Sequence, residues 1–387
     1  MKQKLKSILI QAVKEAVDIS LNTEDIDINI PKNREYGDFS SNIAMKLAKR
    51  VNMKGYELGD DIKNRLLPKY SFIKNIEVMD PGFINFYLKE ENMIKENLIS
   101  VENGDFKRFN NTKKDIKLIM VTDRIRDIWD IQNFRGFMNM YYLGNIYNFV
   151  GYKARKILMV KDYDSDINTR YLLSNFKDVE ISLNERELSE GITFSASPYQ
   201  GVFRGIDKDR SIIEGVRILK NGFVIDKITL TDLIEEIGFH RIKYTLCNKA
   251  IANEINMELT TDYLRYIQYP YNRISSVIST LKKEGIDIGN IENIKKELLD
   301  NPLEEKIIKK MTGFKDALID SINQNQPYRL IKYANELCQI FYEINSTIVF
   351  RQLNREKLMT LLKLLDSFKI ILKEILGILE LPLYEKM

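Results

Sequence analysis

The residues best placed to contact a ligand follow an apolar stretch in the middle of the chain. Leu118 to Val121 is apolar at four consecutive positions, which predicts a strand buried on both faces. A polar segment from Thr122 to Asn133 follows, and Phe134-Arg135-Gly136-Phe137 stands at the mouth of the helix-like run after it. Strand, loop and helix in this order begin nucleotide-binding α/β domains. The loop has neither Gly-x-Gly-x-x-Gly nor Gly-Lys-Ser/Thr, so the usual phosphate-binding groups are missing.

Charged side chains surround the end of that strand. They are Asp123, Arg124, Arg126, Asp127 and Asp130. Such a group is able to bind a residual ligand, or its members pair with one another across an empty cleft. The sequence leaves both interpretations open.

A metal site is not predicted. Asp162, Asp164 and Asp166 form an Asp-x-Asp-x-Asp run, but it has no glycine at the turn position and no distal Glu in register, so we interpret it as a solvated loop. The chain has one histidine, His240, which we place at a helix start. Its two cysteines, Cys247 and Cys338, lie in apolar helical contexts, where small buried thiols are expected. One histidine and two cysteines do not make a zinc site of the usual spacing.

A helix-like segment near residue 270 carries groups suited to nucleic acid. Tyr266, Tyr269 and Arg273 stand at i, i+3 and i+7, which is one face of a helix, and Gln268 lies beside them. Two stacking rings and a guanidinium suit a single-stranded loop. Periodicity alone favours a different interpretation, in which the tyrosines are core residues with satisfied hydroxyl groups.

Composition sets wide limits. The chain has 387 residues and a net charge of +4, so charge alone makes no case for nucleic acid. Lys14, Glu15 and Asp18 interrupt the apolar pattern of the amino-terminal residues, which argues against a signal peptide. No run of about 18 apolar residues exists, so we expect a cytoplasmic protein without membrane contact.

The hydrophobic patterns divide the chain into three parts. Residues 1–105 predict a small α+β domain, residues 115–240 a reduced Rossmann-like domain, and residues 241–387 a helical bundle. Between Lys177 and Ile225 the pattern is too weak to place a regular βαβ series. The predicted fold class is a multi-domain α/β plus all-α protein.

Both ends of the chain resemble arginyl-tRNA synthetases. The segments Glu35–Ala48 and Pro81–Phe86 are similar to the amino-terminal, D-loop-binding domain of those enzymes. Tyr269–Ile274, Pro327–Leu330 and the closing stretch Leu358–Met387 are similar to their anticodon-binding domain. The middle third matches only in outline.

The departures from the family fall on its catalytic signatures. Alignment through Gly144 puts Phe134, Gly136 and Phe137 at the His-x-Gly-His positions of class I synthetases. The lysine-rich second signature should precede Ile228, where Lys220–Lys227 contains no serine and no paired lysines. Adenylate formation needs preorganised donors, and losing one typically costs about 3–4 kcal/mol. We therefore predict no catalytic residues and no cofactor, with ATP expected only if the chain is an enzyme.

The resemblance also implies where tRNA binds. The strand with Phe83, Asn85 and Tyr87 on one face matches the one that reads a D-loop base, and it would present Asn85 between two rings. The predicted tRNA-binding residues are Phe83, Asn85, Tyr87, Tyr266, Gln268, Tyr269, Arg273 and Met387.

These observations predict a tRNA-binding paralogue of arginyl-tRNA synthetase that lacks aminoacylation activity. Two alternatives remain open. One is an active arginine–tRNA ligase using ATP, arginine and tRNA. The other is a protein-interaction module that no longer binds RNA and contacts other translation or regulatory proteins.

Overall fold

The computed structural model describes residues 2–29, 31, 33–89, 98–107, 109, 114–163, 166–184, 191–196, 210–288 and 296–383. The chain divides into two compact units, Met1–Ile99 and Ser100–Met387.

The first unit combines helices with a three-stranded antiparallel sheet of order β1-β3-β2. Its elements are α1 (Lys2–Val17), β1 (Phe39–Ser41), α2 (Ile43–Val51), α3 (Gly55–Leu66), β2 (Ile73–Met79) and β3 (Phe83–Leu88). The apolar positions of α1 recur three and four residues apart, and Leu5, Leu9 and Val13 lie fully buried in the core of this unit. The turn Asp80-Pro81-Gly82 joins β2 to β3, as the sequence predicts.

A close backbone approach fixes the position of that turn. A Cβ atom at Gly55 would lie 2.0 Å from the carbonyl oxygen of Pro81, so only glycine lets α3 begin against the turn. The exposed end of the hairpin is thereby held by the first residue of the helix.

The second unit begins with a five-stranded parallel sheet of order β6-β5-β4-β7-β8. The strands and the helices between them are β4 (Asp115–Arg124), α4 (Ile131–Phe149), β5 (Lys153–Asp162), α5 (Ile167–Ser174), β6 (Val179–Ser182), β7 (Gly191–Ser195) and β8 (Arg210–Ile212). Strand order reverses beside β4, so the carboxyl ends of β4 and β7 flank the position where open α/β sheets bind ligands. The region without a predicted series therefore supplies three strands of the sheet.

The loop after β4 is shorter than the sequence predicts. The strand continues to Arg124, a 3-10 turn occupies Ile125–Trp129, and α4 begins at Ile131 because Asp130 caps it. The placement of Phe134-Arg135-Gly136-Phe137 at the mouth of the helix is therefore wrong. These residues lie within its first two turns.

The remainder of the second unit is mainly helical. A small sheet of order β10-β9-β11 lies partly before the helices and partly among them in the sequence. Its strands and the helices are β9 (Val216–Lys220), β10 (Phe223–Val224), α6 (Leu230–Ile237), α7 (Phe239–Leu246), β11 (Ile255–Glu258), α8 (Tyr263–Lys283), α9 (Pro302–Thr312), α10 (Phe314–Asn323), α11 (Tyr328–Thr347) and α12 (Arg355–Ile378). The predicted fold class is confirmed. Strand β11 is the exception to the predicted helical run, because it pairs in parallel with β9.

The helical part has an apolar core of the kind that its sequence predicts. Helix α12 buries Leu361, Leu365, Phe368, Leu372 and Leu376. Both cysteines are buried and free, as predicted. Among the described residues, no helix has the length and apolar character needed to cross a bilayer.

Candidate nucleic-acid interface

Aromatic rings of α4, of α7 and of the residues after α5 pack against one another. Phe134 and Phe137 are fully buried and stack at 6.2 Å between ring centroids. Phe137 also packs edge-on against Phe176 at 4.8 Å, and Phe134 contacts Phe239 at 6.1 Å. Phe134, Phe137 and Phe176 are buried, and Phe239 is half-buried.

A lysine of the chain itself lies beside these rings. The side chain of Lys243 is buried, and its Nζ lies 5.2 Å from the centre of the Phe239 ring and 5.8 Å from that of Phe176. Burial lowers the pKa of Lys243, whereas the charge of Glu380 raises it. An internal ammonium group thus occupies the aromatic surroundings, where a cation is attracted to the ring faces.

The two middle residues of the Phe-Arg-Gly-Phe segment are structural. A Cβ at Gly136 would lie 2.8 Å from the sulfur of Met120, so glycine lets α4 lie close to β4. The buried Arg135 guanidinium donates to the carbonyl oxygens of Glu214 at 2.7 Å, Ala250 at 2.9 Å and Leu246 at 3.3 Å. Burial lowers the pKa of Arg135 to about 10.

A cavity lies between the residues that precede the first signature positions and those that follow the second. A cavity of about 430 Å³ is lined by Trp129–Ile131 at the start of α4 and Ile228–Thr231 at the start of α6. The side chain of Asp130 accepts hydrogen bonds from the backbone N–H groups of Gln132 and Asn133, and Thr229 and Asp232 form a reciprocal capping box. Carboxylates of the chain thus already occupy helix ends that would otherwise attract a phosphate.

The segment at the lysine-rich signature is a hairpin held at its tip. Glu258 accepts hydrogen bonds from the backbone N–H of Gly222 at 2.9 Å and of Asn221 at 3.1 Å. The N–H of Thr260 is a further donor, and these contacts lower the pKa of Glu258 to about 2. Lys220, the lysine nearest the tip, pairs with Glu236.

The charged residues after β4 are engaged with other parts of the chain. Asp123 pairs with Lys161 at 2.7 Å, and Arg124 pairs with Asp127 at 3.3 Å. Together with the cap at Asp130, these contacts support the pairing interpretation over a ligand site.

The Asp-x-Asp-x-Asp run has a structural role at one end. Asp166 caps α5 by accepting a hydrogen bond from Thr169 N at 2.7 Å, and Asp164 lies outside the described residues. The described part of the chain contains no group of three or more His, Cys, Asp or Glu able to hold a metal ion. His240 lies exposed at the second position of α7, which is the predicted helix start.

In the first unit, β3 leaves the rings of Phe83 and Tyr87 at least partly accessible but not the amide of Asn85. Phe83 is 38% exposed, whereas Asn85 is only 3% exposed. The Tyr87 hydroxyl donates either to the carbonyl oxygen of Glu35 at 2.6 Å or to the carboxylate of Glu77 at 2.8 Å. The prediction that Asn85 is held out between two rings is wrong, because Asn85 is buried on the central strand of the sheet, opposite Ser40 of β1 and Glu77 of β2. The amide is recessed beneath the exposed face.

In the helical part, α8 presents three of the predicted residues on one accessible side. Tyr266 is 37% exposed, Arg273 is exposed and Tyr269 is half-buried. Gln268 does not share this side. It is buried and donates its Nε2 to the carbonyl oxygen of Pro382 at 2.7 Å, which ties α8 to the segment after α12. Met387 lies outside the described residues.

One residue of this surface was missed by the sequence analysis. The ring of Tyr342, on α11, stacks on Tyr266 at 4.8 Å and on Tyr269 at 5.8 Å, with angles of 25° and 8° between the planes. Its hydroxyl donates to the carbonyl oxygen of Tyr266 at 3.1 Å. Only tertiary packing brings α11 to α8, and sequence spacing within one helix gives no sign of it.

Comparison with known families identifies both ends of the chain. Residues 3–88 match the model of the arginyl tRNA synthetase N terminal domain. Residues 267–387 match the model of the DALR anticodon binding domain. The first match includes β3. The second includes most of α8, with Tyr269 and Arg273, and also α11, with Tyr342.

Relatives of known name are similar at low identity. An arginine–tRNA ligase of Ruminiclostridium cellulolyticum is 20% identical over 557 residues, covering 100% of this chain and 99% of the relative. One of Listeria monocytogenes is 25% identical over 182 residues, covering 45% of this chain and 32% of that enzyme. The first alignment is longer than the 387 residues of this chain by about 170 positions (557 − 387), so the chain is shorter than this relative.

The fold also matches a solved structure. Thermus thermophilus arginyl-tRNA synthetase aligns with a TM-score of 0.62 and 10% identity, covering 100% of both chains. At this identity the likeness concerns the fold alone.

Proposed function

The chain is related to the arginyl-tRNA synthetases and carries their N-terminal domain and a DALR anticodon-binding domain, and from this premise we propose that it binds tRNA without aminoacylating it. The anticodon stem-loop binds at the accessible side of α8, and the D-arm binds at the face of β3 with Phe83. This function implies that the protein is located in the cytoplasm, where tRNA is used in translation.

The observation that carries the proposal is the burial of both rings at the first signature. Phe134 and Phe137 are inaccessible, and they stack on each other in the core beside β4. A phenyl ring has no hydrogen-bond donor for the negative charge that develops during adenylate formation. Each such donor is typically worth about 10²–10³ in rate, so losing two leaves almost no activation.

Two further features support the same conclusion. At the starts of α4 and α6, the N–H groups of Gln132, Asn133 and Asp232 donate to side chains of the chain itself. The hairpin at the second signature is tied at its tip to Glu258. A phosphate that bound to these N–H groups would have to displace the side chains that already accept from them.

The support for RNA binding is the chemistry of the two accessible surfaces. Tyr266, Tyr269 and Arg273 offer ring faces and a guanidinium, the groups on which unpaired bases stack and with which phosphates pair. The exposed ring of Phe83 offers a third stacking surface in the other unit. Met387 remains a predicted contact of the anticodon loop.

The experiment compares two assays on one preparation. Arginine-dependent ATP–pyrophosphate exchange, measured with saturating tRNA, should not exceed the protein-free background. Gel-shift titration of total tRNA should show binding that weakens as salt rises, because phosphate contacts release counterions. Absence of tRNA binding would favour the protein-interaction alternative and overturn the proposal.

An active ligase is the second candidate, and the cavity between α4 and α6 is the observation that favours it. Its volume of about 430 Å³ lies within the usual range of ligand pockets. A ligand stabilises the folded state by its affinity for that state. A clear rise in melting temperature with millimolar ATP and magnesium, together with exchange activity, would establish this candidate instead.

A further inference from the structure

The three-ring stack on the accessible side of α8 depends on a proline inside that helix. Pro270 lies in the interior of α8 (Tyr263–Lys283). In an α-helix the N–H of residue i donates to the carbonyl of residue i−4, and proline has no N–H. The carbonyl oxygen of Tyr266 therefore has no donor from position 270.

A side chain from another helix supplies that donor. The hydroxyl of Tyr342, on α11, lies 3.1 Å from the carbonyl oxygen of Tyr266 and donates to it. The same contact sets the position of the Tyr342 ring, which is roughly parallel to both Tyr266 and Tyr269. One hydrogen bond thus satisfies the backbone and joins two rings of α8 through a third.

We propose that Tyr342 is a positioning residue for RNA binding, which uses the carbonyl freed by Pro270 to hold Tyr266 and Tyr269 in one continuous stack. This inference rests on the proposed tRNA binding. The partner is a single-stranded RNA loop, because exposed parallel rings accept bases of any sequence.

The stack changes where a base can bind to the rings of Tyr266 and Tyr269. Separate rings three residues apart would form two platforms, with room for a base between them. Tyr342 contacts both rings, so a base stacks on an outer face of the three-ring unit, and Tyr266 is the more exposed end. Arg273 remains exposed on the same side of α8 for a phosphate contact.

The test is a double-mutant cycle of Tyr342→Phe and Pro270→Ala in the full chain. Removing the hydroxyl leaves the Tyr266 carbonyl without this donor and frees the ring to shift, so tRNA affinity should fall about 3- to 10-fold. Alanine at position 270 restores the intrahelical N–H. In the Pro270→Ala background, Tyr342→Phe should therefore change affinity less than about twofold.

The controls separate positioning from stability. Tyr271→Phe removes a hydroxyl one residue after the proline and should leave both tRNA affinity and urea unfolding unchanged. Tyr342→Leu keeps an apolar side chain and removes the ring, so affinity should fall further than for Tyr342→Phe, by about 5- to 100-fold. Urea unfolding of each variant shows whether the bundle remains folded.

The outcomes are distinguishable. Equal effects of Tyr342→Phe in the proline and alanine backgrounds would overturn the pairing of Pro270 with Tyr342. Coupling in urea unfolding with unchanged tRNA affinity of Tyr342→Leu would make the stack structural and overturn its role in binding. Wild-type protein is titrated first, and a failure of that titration overturns the proposed function and this inference with it.

Discussion

Phe137 is the residue at which the burial of a signature position is most open to experiment. Its ring is in contact with Phe134, Tyr141 and Phe176 and is fully buried. Phe137→His should lower the free energy of unfolding by about 1–3 kcal/mol more than Phe137→Leu, because it buries a polar imidazole at a position packed by aromatic rings. Urea unfolding of the two variants measures the difference, and equal stability would mean that water reaches this position.

Replacing Asn85 should change both the stability of the protein and its affinity for tRNA. Because it is 3% exposed, Asn85→Ala should lower the free energy of unfolding by about 1–3 kcal/mol as well as weaken tRNA binding by a similar amount. Phe83→Ala is the matched control, since its ring is 38% exposed and its loss should weaken binding with little effect on stability. Should Phe83→Ala leave affinity unchanged, the face of β3 is not an RNA contact.

Sequence spacing predicted the positions of some candidate binding residues and not of others. The spacing of Tyr266, Tyr269 and Arg273 sufficed to put them on one side of a helix. Spacing did not reveal that Gln268 points inward to Pro382, because that contact joins residues 114 positions apart. Alternation along β3 likewise identified the face on which Asn85 lies. It did not predict that β1 and β2 pair with β3 on either side of this residue.

Among the elements, the β9–β10 hairpin has a contact whose strength depends on pH. The backbone N–H of Gly222, followed by that of Thr260, lowers the pKa of Glu258 from 4.5 to about 2. A lowered carboxyl pKa stabilises the fold above the unfolded value, and that contribution is lost as pH falls from about 4.5 towards 2. The protection of the Asn221 and Gly222 amides, measured as the intrinsic exchange rate divided by the observed rate at the same pH, should therefore fall in this range.

A variant separates this contact from general acid unfolding. Glu258→Gln should show faster exchange of the Asn221 and Gly222 amides already at pH 7, with no further change that tracks the Glu258 pKa. The amides of the pair Ile255–Val216 in the same small sheet serve as an internal reference. Exchange that is equally slow in the variant at pH 7 would show that other contacts hold the hairpin.

Elements differed in how far the sequence could predict them. Long periodic runs such as α11 and α12 bury their apolar positions as expected, because one helix face is specified by local spacing. Strands β6, β7 and β8 have only four, five and three residues. Such short segments carry too little pattern to reveal a strand, and their order depends on pairing with β5 and β4. The early start of α4 follows from the cap at Asp130, which the pattern of apolar residues does not register.

At the scale of the whole molecule, the accessible rings of Phe83 and Tyr269 lie in the two family-matched regions, and the buried rings of Phe134 and Phe137 lie between these regions in the sequence. Both family matches lie outside residues 89–266, and the aromatic cluster around Phe134 lies within that interval. The α/β part contacts later parts of the chain. Arg135 on α4 donates hydrogen bonds to carbonyl groups that precede and follow β9 in the sequence. Under the proposed function, the α/β part therefore keeps a structural role without a catalytic one.

The most direct measurement of the central claim is charging of bound tRNA under single-turnover conditions. Protein is held in excess over total tRNA, at a concentration where gel shift shows the RNA to be bound, and radiolabelled arginine, ATP and magnesium are then added. We predict bound tRNA and no arginyl-tRNA above the protein-free control. Formation of arginyl-tRNA from the bound complex would contradict this prediction.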